Sequence, residues 1–152
     1  MSLSTSILWA LVVIAATWDV WQRRIPNALI LTGLLLGLAL NLQIGGLPGL
    51  LGGLGAAALA LALLIGPFAM KVMGGGDVKL AMVCGAFTDW RTVLQIILVG
   101  TVIHGVLALA VVLARRVAQA RGSVLPDRAQ VPHAVGFAAS TFIITAGYLH
   151  FL

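Results

Sequence analysis

Long apolar runs divide this chain into segments of the length that crosses a lipid bilayer. Charged residues or Gly and Pro breaks separate six segments, at about residues 4–20, 27–44, 50–70, 77–88, 91–114 and 131–151. A spanning helix needs about 20 apolar residues, and several segments reach that length. The fourth is short and spans only if the membrane thins or neighbours cover its ends. The pattern predicts an all-α, polytopic membrane bundle of about six transmembrane helices, folded as one domain over residues 1–152.

The composition excludes an ordinary soluble domain. Hydrophobic residues make up 61% of the chain and charged residues 9%, against about 25% charged residues in a typical soluble domain. The mean hydropathy is +1.13, so lipid must be the solvent for most of the chain. The first apolar run has no basic residue before it and no small-residue cleavage site after it, so we expect a retained helix. A single cysteine, Cys84, excludes a disulfide framework or a CxxC zinc site within one chain.

The basic residues predict the orientation in the membrane. Eight of the nine Lys and Arg residues lie at three alternate connections: Arg23 and Arg24 are in the first, Lys71 and Lys79 bracket the second, and Arg115, Arg116, Arg121 and Arg128 are in the third. Only Arg91 lies in a connection on the opposite side. Cytoplasmic loops carry the excess of Lys and Arg, so these three connections are expected in the cytoplasm. The net charge of +5 then indicates contact with anionic lipid, and nucleic acid is not needed to explain it.

Two features inside the apolar segments indicate close helix packing. Gly49 and Gly53 form a GxxxG pair, which allows helices to approach closely. Packing within the chain is favoured, and association of two copies into a homo-oligomer is the alternative. His104 lies in the middle of the fifth segment, where a hydrogen bond between helices is favoured over catalysis.

The chain has four acidic residues, and all are aspartates. Asp89 falls in a turn and Asp127 in the longest polar stretch, where solvation explains them. Asp19 and Asp77 border apolar runs, where burying a carboxylate costs on the order of 3 kcal/mol or more, so both are candidate functional residues. The topology places them at one depth on the cytoplasmic side. The alternative is an aspartate that reaches the interface at position 19 and a helix cap at position 77.

Each of these two aspartates lies in a short motif. Asp19 begins Asp-Val-Trp-Gln-Arg-Arg-Ile-Pro-Asn over residues 19–27, and Asp77 follows three glycines in Gly-Gly-Gly-Asp-Val-Lys-Leu over residues 74–80. Together with the six-span layout, they resemble the type IV prepilin peptidases. That family pairs an aspartate, followed shortly by Ile-Pro-Asn, with a second aspartate in Gly-x-Gly-Asp. Residues 131–137 are similar to the segment that opens the family's last helix, but His133 stands where Tyr is usual.

The resemblance implies a membrane aspartyl endopeptidase with Asp19 and Asp77 as its catalytic residues and no cofactor or metal. Its substrate is then a type IV prepilin or pseudopilin, cut at the cytoplasmic face of the bacterial inner membrane to remove a short basic leader. Longer family members add an amino-terminal region with CxxC motifs and a methyltransferase activity. This chain is similar to the short form associated with tight-adherence (Flp) pili, so methyl transfer is expected to be absent.

Two carboxylates suffice for the chemistry of peptide hydrolysis. One ionised group takes a proton from water, and a second, protonated group polarises the scissile carbonyl. A His/Glu metalloprotease motif is absent from the sequence. The helix dipole favours Asp77, at a helix N-terminus, as the ionised base and Asp19 as the proton donor. Arg23 opposes this assignment if it pairs with Asp19.

Residues around the aspartates are candidates for substrate binding. Gly74, Gly75 and Gly76 would let a substrate backbone approach closely, or would form a flexible connection. Lys79 is expected to reach the cytoplasmic interface, with substrate contact as the alternative. Arg23 is a further candidate, or only a topology determinant.

Three other functions fit parts of the pattern. Presenilin-type proteases also use GxGD but lack the Asp-x5-Ile-Pro-Asn motif. A small ion- or proton-coupled transporter would use Asp19 and Asp77 as protonatable groups. A non-enzymatic assembly subunit would need neither aspartate.

Overall fold

The protein is a bundle of α-helices. The computed structural model describes residues 2–22, 25–71, 73–120 and 133–147. Its helices are α1 (Leu3–Gln22), α2 (Asn27–Ala69), α3 (Gly75–Phe87), α4 (Trp90–Ala120) and α5 (His133–Thr145). Three of them, α1, α2 and α4, contain stretches long and apolar enough to cross a membrane. The all-α membrane fold is therefore confirmed, whereas the count of six spans stays a prediction.

Helix α2 reverses direction at Gly46. The backbone there has φ 61° and ψ −150°, a conformation that essentially only glycine adopts. A Cβ atom built on Gly53 would lie 2.8 Å from the side-chain nitrogen of Asn41, and one built on Gly49 would overlap the Asn41 carbonyl oxygen. A straight helix would hold positions 41 and 53 about 18 Å apart. The second and third predicted segments are thus two arms of a helical hairpin, and Gly49 and Gly53 pack within it.

Gly46→Ala is expected to destabilise the protein by about 1–3 kcal/mol, because alanine is strained at this φ and ψ. Gly45→Ala is the matched control, since its Cβ would have no neighbour within 4 Å and its backbone φ is not positive. The measurement is unfolding of both variants in mixed detergent micelles. Equal stability of the two variants would show that the reversal does not depend on the backbone of Gly46.

Helix α3 packs between the two arms of α2. A Cβ atom on Gly37, in the first arm, would lie 2.8 Å from the carbonyl oxygen of Ala86. A Cβ atom on Gly85 would lie 2.7 Å from the carbonyl carbon of Ala56, in the second arm. Neither position has room for a side chain. The buried side chains of α3 include Val78, Leu80, Ala81, Val83, Cys84 and Phe87.

Helix α5 ties the remaining helices to this core. Trp9 of α1 donates a hydrogen bond from Nε1 to Oγ1 of Thr145 at 2.7 Å, and its ring packs on Phe142 with centroids 4.5 Å apart. The Cys84 sulfur of α3 and the Thr141 hydroxyl of α5 lie 3.5 Å apart. The aspartate-bearing helices α1 and α3 therefore both contact α5.

Candidate active site

The two aspartate motifs meet at one end of the bundle, where α1 leads into α2 and α2 leads into α3. Ile25, which is buried, packs on Gly76 so closely that a Cβ there would lie 3.2 Å from its Cδ1 atom. A Cβ on Gly75 would lie 3.1 Å from the ring of Phe68, near the end of α2. These contacts hold the Ile-Pro-Asn segment against the glycine run that precedes Asp77.

Lys79 joins the same two motifs by a hydrogen bond. Its ammonium Nζ donates to Oδ1 of Asn27 at 2.8 Å, although the two residues are 52 positions apart. The position of Lys79 in the sequence favours an interfacial role and does not indicate a pairing with Asn27. Helical periodicity cannot indicate a contact between two helices. The only sequence signal for the Lys79–Asn27 contact is that each residue belongs to one of the two aspartate motifs. Lys79 remains exposed while it fixes the start of α2 to the first turns of α3.

Asp77 lies in the first turn of α3 and is only 3% exposed. The backbone of Gly74, the N-cap residue, forms a hydrogen bond with the Asp77 carboxylate. A side chain that reaches back from the third helical position to the N-cap is one half of a capping box. The helix start therefore fixes the direction of the Asp77 carboxylate, which lies so close that a Cβ on Gly74 would be 3.3 Å from Oδ2.

Asp19 lies in the last turn of α1 and is half-buried. Its charge acts on Asp77, so the fold brings together two carboxylates that are 58 positions apart in sequence. Two interacting carboxylates avoid a double negative charge by sharing one proton. A pair with one ionised and one protonated member can act as general base and general acid in a single reaction.

In the part of the chain that the structure describes, no three His, Cys, Asp or Glu side chains come together as metal ligands. Asp19 and His104 both influence Asp77 electrostatically.

Comparison with known families supports the peptidase among the candidate functions. Residues 6–109 match the type IV leader peptidase family. The chain belongs to the type IV leader peptidase family. This match confirms the resemblance seen in the sequence, and it spans Asp19, Asp77 and the contacts that join their motifs. It ends before residues 131–137, so it does not test the segment that contains His133. Searches of curated proteins and of solved structures gave no significant match.

Membership of the leader peptidase family identifies the chain as a membrane peptidase.

Most of the residues predicted to bind substrate are among those that the structure describes. Gly74 is exposed beside Asp77, whereas Gly75 and Gly76 are partly covered by the contacts described above. Arg23 lies outside the described residues, as does the side chain of His133. Substrate binding by Gly74, Gly75, Gly76, Lys79 and Arg23 stays a prediction.

Removing the Lys79–Asn27 hydrogen bond is expected to lower peptidase activity by about 3–10-fold, because a hydrogen bond to a charged group contributes about 1.5–3 kcal/mol at most and this one is exposed. Lys79→Met and Asn27→Ala should each show the loss, and the double variant should lose little more than either single variant. Lys71→Met is the control, since this exposed lysine lies in the connection just before α3. Additive losses in the double variant would show that the two residues act separately.

Proposed function

We propose that this protein is an aspartyl endopeptidase that removes the short basic leader from type IV prepilins or pseudopilins, with Asp19 and Asp77 as its catalytic residues. The observation that carries the proposal is the contact between the two aspartate motifs, in which Ile25 packs on Gly76 and Lys79 donates to Asn27, in a chain of the type IV leader peptidase family. This contact brings the end of α1 that carries Asp19 and the start of α3 that carries Asp77 to one region of the bundle. Paired carboxylates of this kind supply both proton transfers that peptide hydrolysis needs.

The reaction uses one water molecule and one shared proton. The ionised carboxylate takes a proton from water, and the water oxygen attacks the scissile carbonyl carbon. The protonated carboxylic acid donates its proton to the carbonyl oxygen, which gives a neutral tetrahedral intermediate. This intermediate collapses when one of its hydroxyl groups returns a proton to the dyad and the carboxyl that took the water proton gives it to the leaving amine. The C–N bond breaks, and the pair again holds one proton.

The position of the site suits a substrate with a soluble leader and an apolar helix. Lys71 lies in the connection before α3 and exposed Lys79 lies in the first turns of that helix, and the positive-inside rule assigns that end of the bundle to the cytoplasm. A prepilin helix would lie in the bilayer beside the exposed apolar faces, with its basic leader in the cytoplasm and its scissile bond at the interface. Exposed Gly74 leaves room for a substrate backbone beside Asp77. The reaction would take place in the bacterial inner membrane, and an Flp-type pilin is the substrate that the family resemblance implies.

The test is cleavage by the purified protein in liposomes. Full-length prepilins and pseudopilins from the same organism are added, and mass spectrometry identifies the products. We expect one cut between the basic leader and the apolar helix, unaffected by EDTA or by serine-directed inhibitors. The same liposomes are assayed for proton flux, which a transporter would carry and a peptidase would not. Flux that depends on Asp19 and Asp77, without cleavage of any prepilin, would overturn the proposal in favour of the transporter.

A further inference from the structure

Phe68 is an aromatic residue in the last turn of α2, and its side chain is 47% exposed. The helix ends directly after it. The N–H of Met70 donates to the Gly66 carbonyl at 3.0 Å, and the N–H of Lys71 donates to the Phe68 carbonyl at 2.9 Å. Lys71 has φ 58°, the left-handed conformation that commonly follows the end of a helix. These bonds fix the backbone that carries the Phe68 ring at the end of the bundle where the aspartate motifs meet.

The three glycines before Asp77 are covered to different extents. Gly76 packs on a buried side chain of the Ile-Pro-Asn segment. A Cβ atom on Gly75 would lie 3.1 Å from Cε2 of Phe68, so the half-exposed ring borders the middle glycine. Gly74 is exposed, and a Cβ there would lie 3.3 Å from Oδ2 of Asp77. The ring and the carboxylate therefore border two successive glycines.

This arrangement limits the distance between Phe68 and the Asp77 carboxylate. Successive Cα atoms are about 3.8 Å apart. With the two glycine contacts, the nearest atoms of the ring and the carboxylate are no more than about 13 Å apart. An extended chain covers that distance with about four residues. A substrate whose scissile bond lies at Asp77 therefore reaches the ring with a side chain no more than about four residues from the cut.

The surroundings of the ring fit the apolar side of the cut. Leu61, Ile65 and Phe68 are all exposed, and their spacing places them on one face of the second arm of α2. The ring thus continues an apolar surface as far as the glycines. Exposed Lys71 follows three residues later and would repel a basic leader at the same place. The apolar residues that follow the cut are the part of the substrate that matches this position.

We propose that Phe68 is a specificity-determining residue: its ring binds an apolar side chain among the first four residues after the cut and so places the scissile bond beside Asp77. The inference rests on the proposed function and deepens it, because it names the group that recognises the start of the substrate's apolar helix. A phenyl ring suits this task, since it offers a large, rigid apolar surface at a low cost in conformational entropy.

Phe68→Ala tests the proposal when it is combined with changes in the prepilin. Each of the first four residues after the cut is replaced by alanine in turn, and both enzymes are assayed in liposomes. Phe68→Ala should lower kcat/KM for the unaltered prepilin about tenfold. For one of the four prepilin variants the further loss should be less than about twofold, because the partner side chain is already missing. An equal loss with all five prepilins, as a less stable enzyme would give, would overturn the proposal.

Two further variants separate recognition from contact with lipid. Phe68→Leu keeps an apolar side chain and should lose no more than about threefold in kcat/KM. Leu63→Ala is the matched control, since Leu63 is 45% exposed in the same arm of α2, about 140° around the helix from Phe68. It should cleave every prepilin within about twofold of the unaltered rate. A tenfold loss in Leu63→Ala would show that any exposed apolar residue of this arm has the same effect.

Photocrosslinking locates the contact directly. Benzoylphenylalanine replaces Phe68, or Leu63 as the control, in the Asp77→Asn variant, which is expected to hold the prepilin uncut. We expect an adduct from position 68 within the first four residues after the cut, and none there from position 63. Cleavage by the unaltered protein, with no such adduct, would overturn this inference alone. An adduct at those residues in a protein whose unaltered form cleaves no prepilin would keep the contact and reject the peptidase proposal.

Discussion

Asp77→Asn is expected to lower kcat/KM for leader removal by about 10³-fold or more, because in the proposed mechanism the substitution removes a group that transfers a proton. Asparagine has nearly the same shape as aspartate, and its carbonyl oxygen can still accept the bond from the Gly74 backbone. The fold should therefore be retained, with thermal unfolding close to that of the unaltered protein. The measurement is the initial rate of leader release in liposomes, over a range of enzyme concentrations that reveals a 10³-fold loss.

Asp19→Asn is expected to lower the same rate, but to leave more activity than Asp77→Asn. If Asp19 holds the shared proton, the amide of asparagine replaces part of its hydrogen bond to the scissile carbonyl, whereas no amide replaces an ionised base at Asp77. The two variants are compared in one assay at matched enzyme concentration. Unaltered activity in either variant would reject the catalytic assignment of that aspartate.

Asp89→Asn is the matched control for the loss of a carboxylate. Asp89 accepts a hydrogen bond from the Thr92 backbone N–H at 2.8 Å and one from the Thr92 hydroxyl at 3.1 Å, at the start of α4. Asparagine is an equally good N-cap residue. Cleavage and stability should both stay close to those of the unaltered protein, which separates a catalytic effect from a general effect of charge removal.

Helices that coincide with an apolar run bounded on both sides by charged or helix-breaking residues could be predicted from the sequence. The first segment, 4–20, corresponds to α1 (Leu3–Gln22), and the fourth, 77–88, to α3 (Gly75–Phe87). Helix α4 continues to Ala120, past the predicted end at 114, because hydropathy reports where the membrane ends and Arg is a good helix former that continues the helix beyond it.

The reversal of α2 could be located but not described. Gly45, Gly46 and Pro48 all interrupt the apolar pattern, and any of them can end a helix. The sequence does not tell which glycine adopts positive φ, or that the helix resumes at once in the opposite direction. That conformation depends on the close packing of Gly49 and Gly53 on Asn41, a contact between residues that the hairpin itself brings together.

Asp19 and Asp77 could be proposed as site residues from the sequence, but the contacts of the residues around them could not. Asp19 and Asp77 carry local signals, since each is an acidic residue at the border of an apolar run and in a motif. The contacts that Asn27 and His104 make depend on which faces of two helices meet. Helical periodicity gives the relation between residues of one helix, and it gives no rotation of that helix relative to its neighbours. His104 is visible in the sequence as a polar residue within an apolar segment, and its packing against Gly136 of α5 is a property of the bundle.

Gly85→Ala is expected to destabilise the protein by about 3 kcal/mol and to reduce peptidase activity with it. The new Cβ atom would lie 2.7–2.8 Å from three backbone atoms of Ala56 and Ala57, and backbone atoms cannot move aside as a flexible side chain can. Helix α3 would have to shift away from the second arm of α2. Because Asp77 is on the same short helix, its carboxylate would move relative to Asp19, and a displacement of this kind lowers catalysis as well as stability.

Gly55→Ala, in the second arm of α2, gives this prediction its matched control. A Cβ atom there would meet no neighbour within 4 Å, so the usual preference of helices for alanine over glycine should stabilise the protein by about 0.5–1 kcal/mol. The same substitution is thus expected to destabilise the protein at Gly85 and to stabilise it at Gly55. Unfolding in mixed detergent micelles measures both. If Gly85→Ala were as stable as Gly55→Ala, then α2 and α3 would not pack through the Gly85–Ala56 contact. This packing would then not hold Asp77 in position.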